Sequence, residues 1–504
     1  MSGKSWASSG EGNFWPITSS GACRTGRADA KDVGDGRRYS VVPPGKRARR
    51  ISGTNPPISH LLAAAGSSPK SGWPPRSLSC GTIDDEPPRA GEPLSTVDCF
   101  RESDAMKLHR FNPQECRFPK PRISPLPNSP AFPSMLGHQP SGLSGRHSRH
   151  FRHFSRGRYA LGEACRLAGL TRQTIFLAPA YHCVTMIDPA LALSATVCFY
   201  RLQADLSPDI EHLTELVANA NQPVKALLVT HYFGLIKDFG PLAEFCREKR
   251  IVLIEDCSHV LFTEEFQAPG SGMHGDLVIA SPYKFFCCAD GGLLYSRNEN
   301  RLDPVITHPA SLLDELVGIK FTYEKSRWGM SAGSFPEIDS LLDSLGSTPL
   351  ALGTDLLEER NTPSELYSSS IQNRSSLRYS RLMARQTSPI ENSRKRRENF
   401  NRWASAIAQT PNCRAIFSKL PQDCIPYMFP VYIERPNPDF YWLKHLGVPI
   451  WRWDEMGVST CAAAEDYRLH LIHLPCHQAL TSEQLDWMVT AFNKTMHRML
   501  KGDQ

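Results

Sequence analysis

The sequence predicts an α/β protein, with a large domain built on a mostly parallel β-sheet, a smaller C-terminal α+β domain and a disordered N-terminal extension. The first observation behind this prediction is that strand-like and helix-like segments alternate after residue 157. The second is that the strand-like segments are apolar almost throughout, as expected for strands whose sheet is covered by helices on both faces. The third is a change of pattern near residue 395, where a different mixture of helix and strand begins. We therefore place the domains at residues 1–120, 121–390 and 391–504.

The N-terminal extension is defined by its composition. Nearly half of the chain's 40 prolines precede residue 141, together with many Ser, Gly and Arg residues. The longest periodic apolar segment in this part of the chain is short, at residues 58–65. Such a composition cannot bury enough apolar surface to offset the entropy that is lost when the backbone is ordered. Residues 1–120 are therefore expected to be disordered or only locally ordered.

The first helix of the large domain is predicted to begin after Gly157. Ala160, Ala164 and Leu167 lie three to four residues apart, which is the spacing of one helix face. Gly169 follows, and glycine commonly ends a helix because it adopts left-handed backbone angles without strain.

The later elements follow from apolar runs and the residues that interrupt them. In the large domain we predict strands at residues 174–178, 195–200, 225–231, 251–254 and 277–280, and helices at 210–218 and 241–249. Residues 300–390 have weak periodicity and are expected to form helices that cross the large domain, with at least one exposed loop. In the C-terminal domain we predict a helix from about 395, a strand at 427–434 and a helix at 440–446. Thr481 and Gln484 form a capping box that opens the last helix.

Composition and charge exclude several protein classes. Hydrophobic residues at 40%, charged residues at 21% and a net charge of +6 are ordinary for a globular protein. No apolar run reaches the ~18 residues of a membrane span, and the N-terminus lacks the apolar core of a secretory signal, so no membrane association is expected. The 15 cysteines include no CxxC pair, so we expect neither a metal site nor a disulfide framework. Free thiols are typical of a reducing compartment, and we predict a cytoplasmic protein.

Three segments admit other interpretations. The basic clusters at 46–50 and 394–397 are expected to be solvated charge, the second on the exposed face of a helix. In the segment 146–154, three histidines spaced by three residues could be metal ligands, or the interleaved arginines and phenylalanines could bind single-stranded nucleic acid. Neither interpretation has supporting ligands or a recognisable module elsewhere. We therefore favour a segment that leads into the first helix, and nucleic acid is not an expected partner.

Asp256 and Lys284 are the candidate catalytic residues. Asp256 follows the apolar run at 251–254, and Lys284 lies in a turn after the run at 277–280. Chemistry in an α/β sheet collects at the carboxyl ends of the strands, where both residues are expected to lie. A lysine that forms a Schiff base and an acid that keeps a pyridine nitrogen protonated are the two groups that pyridoxal phosphate needs. Taken singly, an aspartate in this position is more often a buried helix cap, and a lysine is more often a surface residue on a loop. The assignment of a catalytic role therefore depends on the neighbouring sequence.

The neighbouring sequence contains four blocks and a tail that occur together, in this order, in one protein family. The blocks are GRYAL at 157–161, PAYHC at 179–183, HYFG at 231–234, and EDCSH at 255–259 with SPYK at 281–284 and DGG at 290–292; the tail is HLPCHQALTSEQLDWM at 473–488. In these blocks the chain from about 125 to 488 resembles the DegT/StrS family of pyridoxal-phosphate-dependent sugar aminotransferases. The resemblance implies the fold-type I architecture of those enzymes.

The resemblance also implies roles for single residues around the cofactor's ring. Lys284 would be the Schiff-base lysine, Asp256 the partner of the pyridine nitrogen and His259 a neighbour of the phenolic oxygen. His182 and Cys183 lie in the turn where many members stack an aromatic ring on the cofactor. Cys183 departs from that pattern, so Tyr181 or His182 is expected to serve instead.

The cofactor's phosphate would be held by Ser281 and by the start of the first helix at Gly157, Arg158 and Tyr159. A helix N-terminus offers unpaired N–H groups and the positive end of the helix dipole to a dianion. Arg158 and Tyr159 stand where the family usually has Thr and Ala, so a hydroxyl contact is missing and a cation is available in its place.

The family's reaction is the transfer of an amino group from glutamate or glutamine to a nucleotide-linked keto sugar, in polysaccharide or secondary-metabolite sugar biosynthesis, by homodimers. The resemblance implies the same for this chain. Related sugar dehydratases replace the lysine, whereas Lys284 is present. Two alternatives stay open. One is a regulatory protein of the same fold, motivated by the departures at Arg158, Tyr159 and Cys183, and the other is a nucleic-acid-binding protein that uses the basic segments.

Overall fold

The computed structural model describes residues 106–111, 118–129, 149–329, 335–347, 355–417 and 419–498. All of these residues belong to one of the two compact units of the chain, and the other unit, Ile17–Leu94, lies outside them. The predicted disorder of residues 1–105 and 112–117 therefore also falls outside the described residues.

Helices and strands alternate along most of the described chain. The strands are β1 (Met106–Phe111), β2 (Phe151–Phe154), β3 (Ile175–Pro179), β4 (Thr196–Tyr200), β5 (Val224–Thr230), β6 (Val252–Cys257), β7 (Leu277–Ala280), β8 (Gly292–Tyr295), β9 (Asp355–Arg360), β10 (Cys413–Ala415), β11 (Met428–Ile433), β12 (Met456–Gly457) and β13 (Leu471–Pro475). The α-helices are α1 (Gly157–Leu167), α2 (Asp188–Ala192), α3 (Ile210–Ala218), α4 (Gly240–Lys249), α5 (Leu312–Ser326), α6 (Ile338–Ser347), α7 (Arg378–Arg385), α8 (Pro389–Ile407), α9 (Pro436–Leu446), α10 (Ala462–His470) and α11 (Ser482–His497).

Seven strands form the large sheet, in the order β2-β8-β7-β6-β5-β3-β4. The pairs β3–β4, β3–β5, β5–β6 and β6–β7 are parallel, whereas β7–β8 and β2–β8 are antiparallel. Helix α1 packs against β7 and β8, α3 against β4 and α4 against β6. Strands β3 and β7 are buried along their whole length because helices and loops cover both faces of the sheet. The predicted α/β class with a mostly parallel sheet is confirmed.

The predicted strands of this sheet differ from the observed ones by at most three residues at any end. Strand β7 and helix α3 have the predicted bounds, and α4 begins one residue earlier than expected. Gly169 follows the end of α1 with a φ of +78°, as its role as a helix stop requires. The capping box that opens α11 is formed by Thr481 and Gln484. These elements were predictable because each carries its own local signal.

A second, antiparallel sheet of order β10-β11-β13 lies in the C-terminal part of the chain, where helices α8, α9 and α11 pack around it. Its apolar core includes Trp403, Phe429 and Leu474, all fully buried. Helix α6 packs on α9 and α11 and contributes to the same core, although it precedes residue 391. The α+β character is as predicted, and the boundary between residues 390 and 391 stays a prediction.

Strand β1 lies within residues 1–120, which were predicted to be disordered or only locally ordered, and it corrects the disorder at Met106–Phe111. It is the central strand of a third sheet of order β12-β1-β9, and it pairs with β9 over six residues. Its residues Met106, Leu108 and Phe111 are buried. Composition averaged over the extension concealed this short segment, whose strand partners come from far along the chain. Strand β9 was likewise missed, among the expected crossing helices of residues 300–390, where α5, α6 and α7 are indeed helical.

The basic cluster at residues 394–397 also differs from its prediction. Arg394 is exposed, as expected for the outer face of α8, but Arg396 is fully buried. In the segment 149–154, β2 forms the edge of the large sheet and leads into α1 as favoured. His150 lies against the carbonyl of Ser296 and His153 against Glu264, so these two histidines face different partners.

Ten cysteines of the described residues are free thiols, and nine of these are buried. Cys198 is disulfide-bonded, so the expectation of free thiols is wrong at this position. Within the described residues, no helix combines the length and the apolar composition needed to span a lipid bilayer.

Candidate active site

Asp256 lies at the carboxyl end of β6, between the ends of its two neighbouring strands. Its register partners are Thr230 on β5 and Ile279 on β7. The side chain is 3% exposed, and its Oδ1 accepts a hydrogen bond of 2.7 Å from the backbone N–H of Ser258. One carboxylate oxygen is thus fixed by the following turn, which sets the direction of the second oxygen.

Lys284 lies one short turn beyond the carboxyl end of β7. A 3₁₀ turn, Pro282–Lys284, follows the strand, and the backbone N–H of Lys284 donates to the carbonyl of Ser281 at 3.0 Å. The side chain is buried, and its Nζ lies 5.2 Å from the ring centroid of Tyr427. Asp256 and Lys284 line one pocket of about 510 Å³, part of which is open to solvent. The structure therefore brings the two candidate catalytic residues together.

The start of α1 forms one wall of this pocket. Gly157 is its first residue, and a Cβ at this position would lie 2.2 Å from Oγ of Ser281. The Ser281 hydroxyl donates to that of Ser258 at 3.1 Å. A side chain at Gly157 would therefore fill the space between the helix N-terminus and the two hydroxyls, and glycine keeps that space open for a ligand.

Two arginines stand at this helix start. Arg156, the N-cap residue, donates to the carbonyl of Ala289 at 2.8 Å, and Arg158 donates to the carbonyl of Leu366. Both line the pocket, and the first turn of α1 contains no acidic residue. Cations at the positive end of a helix dipole are unfavourable by about 0.3–1 kcal/mol each. A bound anion would be attracted by both arginines and by the helix N-terminus, and these attractions would offset the repulsion, more strongly for a dianion.

The residues present fit pyridoxal phosphate. An amine and a carboxylate at neighbouring strand ends match the aldehyde and ring nitrogen of the cofactor, and the helix start with two hydroxyls matches its phosphate. Between these groups, Oγ1 of Thr230 is buried and has no hydrogen-bond partner in the described structure. A buried hydroxyl without a partner is uncommon in a folded protein, and a ligand in this pocket is a suitable partner for it.

His259 lines the pocket, as expected. Its ring stacks on Tyr427 with a centroid distance of 4.5 Å, and its Nδ1 accepts from the backbone N–H of Phe233 at 3.3 Å. Because Nδ1 accepts, the neutral ring carries its proton on Nε2. Cys183 also lines the pocket, with its Sγ 3.0 Å from Oγ1 of Thr185.

Tyr159 and His182 are not among the residues that line the pocket. His182 is fully buried, and its Nε2 accepts from the backbone N–H of Gly457 at 3.2 Å. Burial lowers the pKa of His182 to about 4, so the ring is neutral at physiological pH. Its hydrogen bond with Gly457 links this turn to the C-terminal part of the chain. The hydroxyl of Tyr159 accepts from the backbone N–H of Ser368 at 3.4 Å. Both side chains point away from the pocket because successive residues of a turn or helix diverge.

Trp453 supplies the aromatic wall that the sequence interpretation sought near Cys183. It is 1% exposed, lines the pocket, and lies 5.7 Å from the ring of His259. Its indole Nε1 is buried without a hydrogen-bond acceptor in the described structure. Only the tertiary fold brings residue 453 beside residue 183, so no local signal could have found it. The other pocket residues that were missed are Arg156, Leu161, Thr185, Met186, Thr230, Ser258, Ile279 and Tyr283.

Glu255 precedes Asp256 and points to the opposite face of the sheet. It accepts hydrogen bonds from Nε2 of His231 at 2.8 Å and from three backbone N–H groups, those of Gly272, His274 and Gly275, at 2.6, 2.9 and 2.8 Å. Burial acts to raise the pKa of Glu255, but these hydrogen bonds outweigh it and lower the pKa to about 2. Four donors saturate the two carboxylate oxygens, so the residue joins β5, β6 and the following loop.

The family model of the DegT/DnrJ/EryC1/StrS aminotransferase family matches residues 147–493. A Saccharopolyspora spinosa protein, dTDP-4-dehydro-2,3,6-trideoxy-D-glucose 4-aminotransferase, is 29% identical over 130 residues, which are 24% of this chain and 31% of that protein. Vibrio cholerae GDP-perosamine synthase is 24% identical over 155 residues, or 30% and 40% of the two chains. The matched part thus spans less than half the length of each curated relative.

Among solved structures, the chain is similar to Helicobacter pylori PseC, an aminotransferase involved in the biosynthesis of pseudaminic acid. The identity is 16%, the TM-score is 0.47, and the similarity covers 69% of this chain and 86% of the other. Because this score is low, the family assignment depends on the sequence match over residues 147–493.

Proposed function

The chain belongs to the DegT/DnrJ/EryC1/StrS aminotransferase family, and from this premise we propose that it is an aminotransferase with pyridoxal phosphate bound covalently to Lys284. The observation that carries the proposal is the single pocket that joins Lys284, Asp256 and the N-terminus of α1. An amine, a carboxylate and an anion-binding helix start in one pocket are the groups that this cofactor needs.

The family is dependent on pyridoxal phosphate, which when bound supplies an electron sink for the substrate's reacting carbon. In this chain, Asp256 would hold the proton on the ring nitrogen through its second carboxylate oxygen, because a nearby negative charge favours the protonated ring. Ser281 and the backbone N–H groups at the start of α1 would bind the phosphate. These contacts fix the reacting atoms relative to Lys284.

Lys284 then acts as the proton carrier. With the cofactor bound and the lysine amine free, Nζ would accept the proton from the substrate carbon as general base and would later donate it as general acid. The rings of Tyr427 and Trp453 flank this region and would limit the access of water to the amine.

We further propose that the amino acceptor is a nucleotide-linked keto sugar and that the donor is glutamate or glutamine. The support is the family, together with the curated relatives, whose names describe a dTDP-linked sugar aminotransferase and a GDP-perosamine synthase. The cytoplasmic location inferred from the sequence stays a prediction.

The absorbance of the purified full-length protein tests the proposal. We expect a visible cofactor band that glutamate or glutamine bleaches, and that a nucleotide-linked keto sugar then restores. A band that no amino donor changes would favour the regulatory alternative, for which the specific observation is that Arg158 is hydrogen-bonded to the carbonyl of Leu366. A protein without any band would contradict both and would leave the nucleic-acid interpretation, whose N-terminal basic cluster lies outside the described residues.

We also propose that the protein is a homodimer, as the family implies, and that helix α5 contributes to the interface. Apolar side chains on this helix are largely exposed in the single chain: Leu312, Leu313, Leu316, Val317, Ile319 and Tyr323. A helix with several exposed large apolar residues is typical of an association surface. A second copy of this chain is the occupant to which we commit, because the family's members are dimers.

A further inference from the structure

We infer that Arg396 is a positioning residue for Lys284, which it holds from the C-terminal part of the molecule. The inference rests on the proposed function, in which Lys284 is the attachment point of the cofactor. It concerns the backbone of the lysine's turn, because the side chain's reach into the pocket depends on where that backbone lies.

The guanidinium of Arg396 is fully buried and contacts four acceptors. Its Nη2 donates to the carbonyl of Lys284 at 3.2 Å. Its Nη1 donates to the carbonyls of Pro426 and Tyr427 at 3.0 and 3.2 Å, and its Nε donates to Oε1 of Gln478 at 2.8 Å. One planar group from α8 thus ties the lysine turn to the segment entering β11 and to the segment leaving β13.

This arrangement is costly for stability alone. Within the described residues, no carboxylate forms an ion pair with Arg396, and burial lowers its pKa to about 10, which leaves the group charged at neutral pH. The effective penalty for burying an ion is several kcal/mol, and apolar residues of similar volume often stabilise a protein more than a buried charge does. A buried cation that binds only neutral acceptors, one of them the carbonyl of Lys284, therefore indicates a role in placing those acceptors.

Gln478 adds a second link to the same turn. Its Nε2 donates to the carbonyl of Phe285 at 2.7 Å, while its Oε1 accepts from Arg396. The guanidinium of Arg396 also lies 4.4 Å from the ring centroid of Phe285. The carbonyls of two consecutive residues, Lys284 and Phe285, are thus held by two side chains that hold each other.

Tyr427 extends this arrangement to the lysine's amine. Its carbonyl is bound by Arg396, while its ring lies 5.2 Å from Nζ of Lys284 and stacks on His259 at 4.5 Å. The same guanidinium therefore fixes the backbone of the lysine and the wall beside its amine. A misplacement of about 1 Å in a reacting group is enough to cost on the order of 100-fold in rate.

The test compares Arg396→Met with Arg397→Met in the full-length protein. Arg397 is the next residue of α8 and also binds two carbonyls, those of Pro421 and Cys424, but these lie away from the lysine turn. The measured quantities are the melting temperature and the rate at which cofactor-free protein forms a borohydride-fixable adduct with added pyridoxal phosphate. We expect Arg396→Met to slow attachment about 10- to 100-fold. Arg397→Met is expected to stay within about twofold of the wild type.

Three outcomes would overturn the inference. One is attachment at the wild-type rate in Arg396→Met despite a lower melting temperature, which would assign Arg396 a purely structural role. Another is a wild-type attachment rate in Arg396→Lys. A lysine ammonium keeps the charge but cannot bind all four acceptors, so this result would show that the hydrogen bonds of the guanidinium are not needed. If Arg396→Met does not fold, Gln478→Leu is measured in its place. The third outcome that would overturn the inference is a wild-type attachment rate in Gln478→Leu. Absence of any fixable adduct in the wild type would instead contradict the proposed function.

Discussion

The chemistry proposed for this chain depends on one amine, that of Lys284. Its Nζ reaches the pocket from a turn at the end of β7, and the side chain is not part of either apolar core. Lys284→Ala should therefore abolish the borohydride-fixable cofactor adduct and leave the melting temperature nearly unchanged. Mass spectrometry of the reduced protein measures the first and thermal unfolding the second. Persistence of an adduct in the variant would show that another lysine is the attachment point.

Asp256→Asn should retain the cofactor and lose most of the turnover. The amide is nearly isosteric with the carboxylate, so the hydrogen bond from the backbone N–H of Ser258 survives. What is lost is the negative charge that favours a protonated ring nitrogen, and each pKa unit of that preference is worth about 1.4 kcal/mol. Because the loss falls on the transition state, kcat should drop with a smaller effect on KM for the donor. Single-turnover measurement of the donor half-reaction checks this, and a near-wild-type rate would reduce Asp256 to a structural cap.

Asp256 also shows what the sequence could and could not predict about single residues. Asp256 and Lys284 were found because each follows a strand that has its own local signal, whereas Ser281 and Gly157 were implied by the resemblance to the family. Trp453 could not be found in this way, since only the packing of the C-terminal part of the chain brings it to the pocket.

At the scale of elements, the strands of the large sheet were predictable because a strand buried on both faces is a continuous apolar run. Strand β1 was not, because it is only six residues long, has three buried side chains within a polar, proline-rich region, and pairs with distant partners. Arg396 was misassigned for a related reason. A run of four basic residues on a helix is usually solvated. The sequence around Arg396 does not indicate that this residue lies on the buried face of α8.

The link between β5, β6 and their following loop should depend on the charge of Glu255. Its pKa is lowered from 4.5 to about 2 in the folded protein, so its stabilising contribution is present above pH 4.5 and is lost as the pH falls towards 2. Glu255→Gln should lower the free energy of unfolding at pH 7 by about 2–3 kcal/mol, because buried N–H donors lose their acceptor. The difference from the wild type should shrink as the pH is lowered through this range.

Urea denaturation of both proteins at pH 7 and pH 3 measures that difference. Glu358→Gln is the matched control, because Glu358 is a partly exposed carboxylate that pairs with the exposed Arg110. Its effect should stay within about 0.5 kcal/mol. A pH-independent loss in Glu255→Gln would mean that shape, and not charge, holds the loop.

At the scale of the whole molecule, the exposed apolar residues of α5 predict how the chain associates. Leu316→Glu places a charge among large apolar side chains, and Leu316 is 57% exposed, so the fold of the single chain should tolerate it. We expect this variant to shift the protein from dimer to monomer in sedimentation or light scattering. Ile210→Glu, at a 47% exposed position on α3, is the control that should leave the dimer intact. An unchanged dimer in Leu316→Glu would exclude α5 from the interface.

The N-terminal part of the chain should divide sharply at residue 106. A protein of residues 106–504 should keep its melting temperature and its cofactor, because residues 1–105 have the proline-rich composition of a segment that adds little to a core. A protein of residues 118–504 loses the central strand of the sheet β12-β1-β9, and with it the buried side chains of Met106, Leu108 and Phe111. Burial of each such side chain is worth about 1.5–3 kcal/mol, so their sum approaches the 5–15 kcal/mol that stabilises a typical domain. The shorter protein should therefore unfold at a much lower temperature or fail to accumulate. Loss of the cofactor in the protein of residues 106–504 would contradict this prediction. It would mean that residues 1–105 bind the rest of the protein and contribute to its stability.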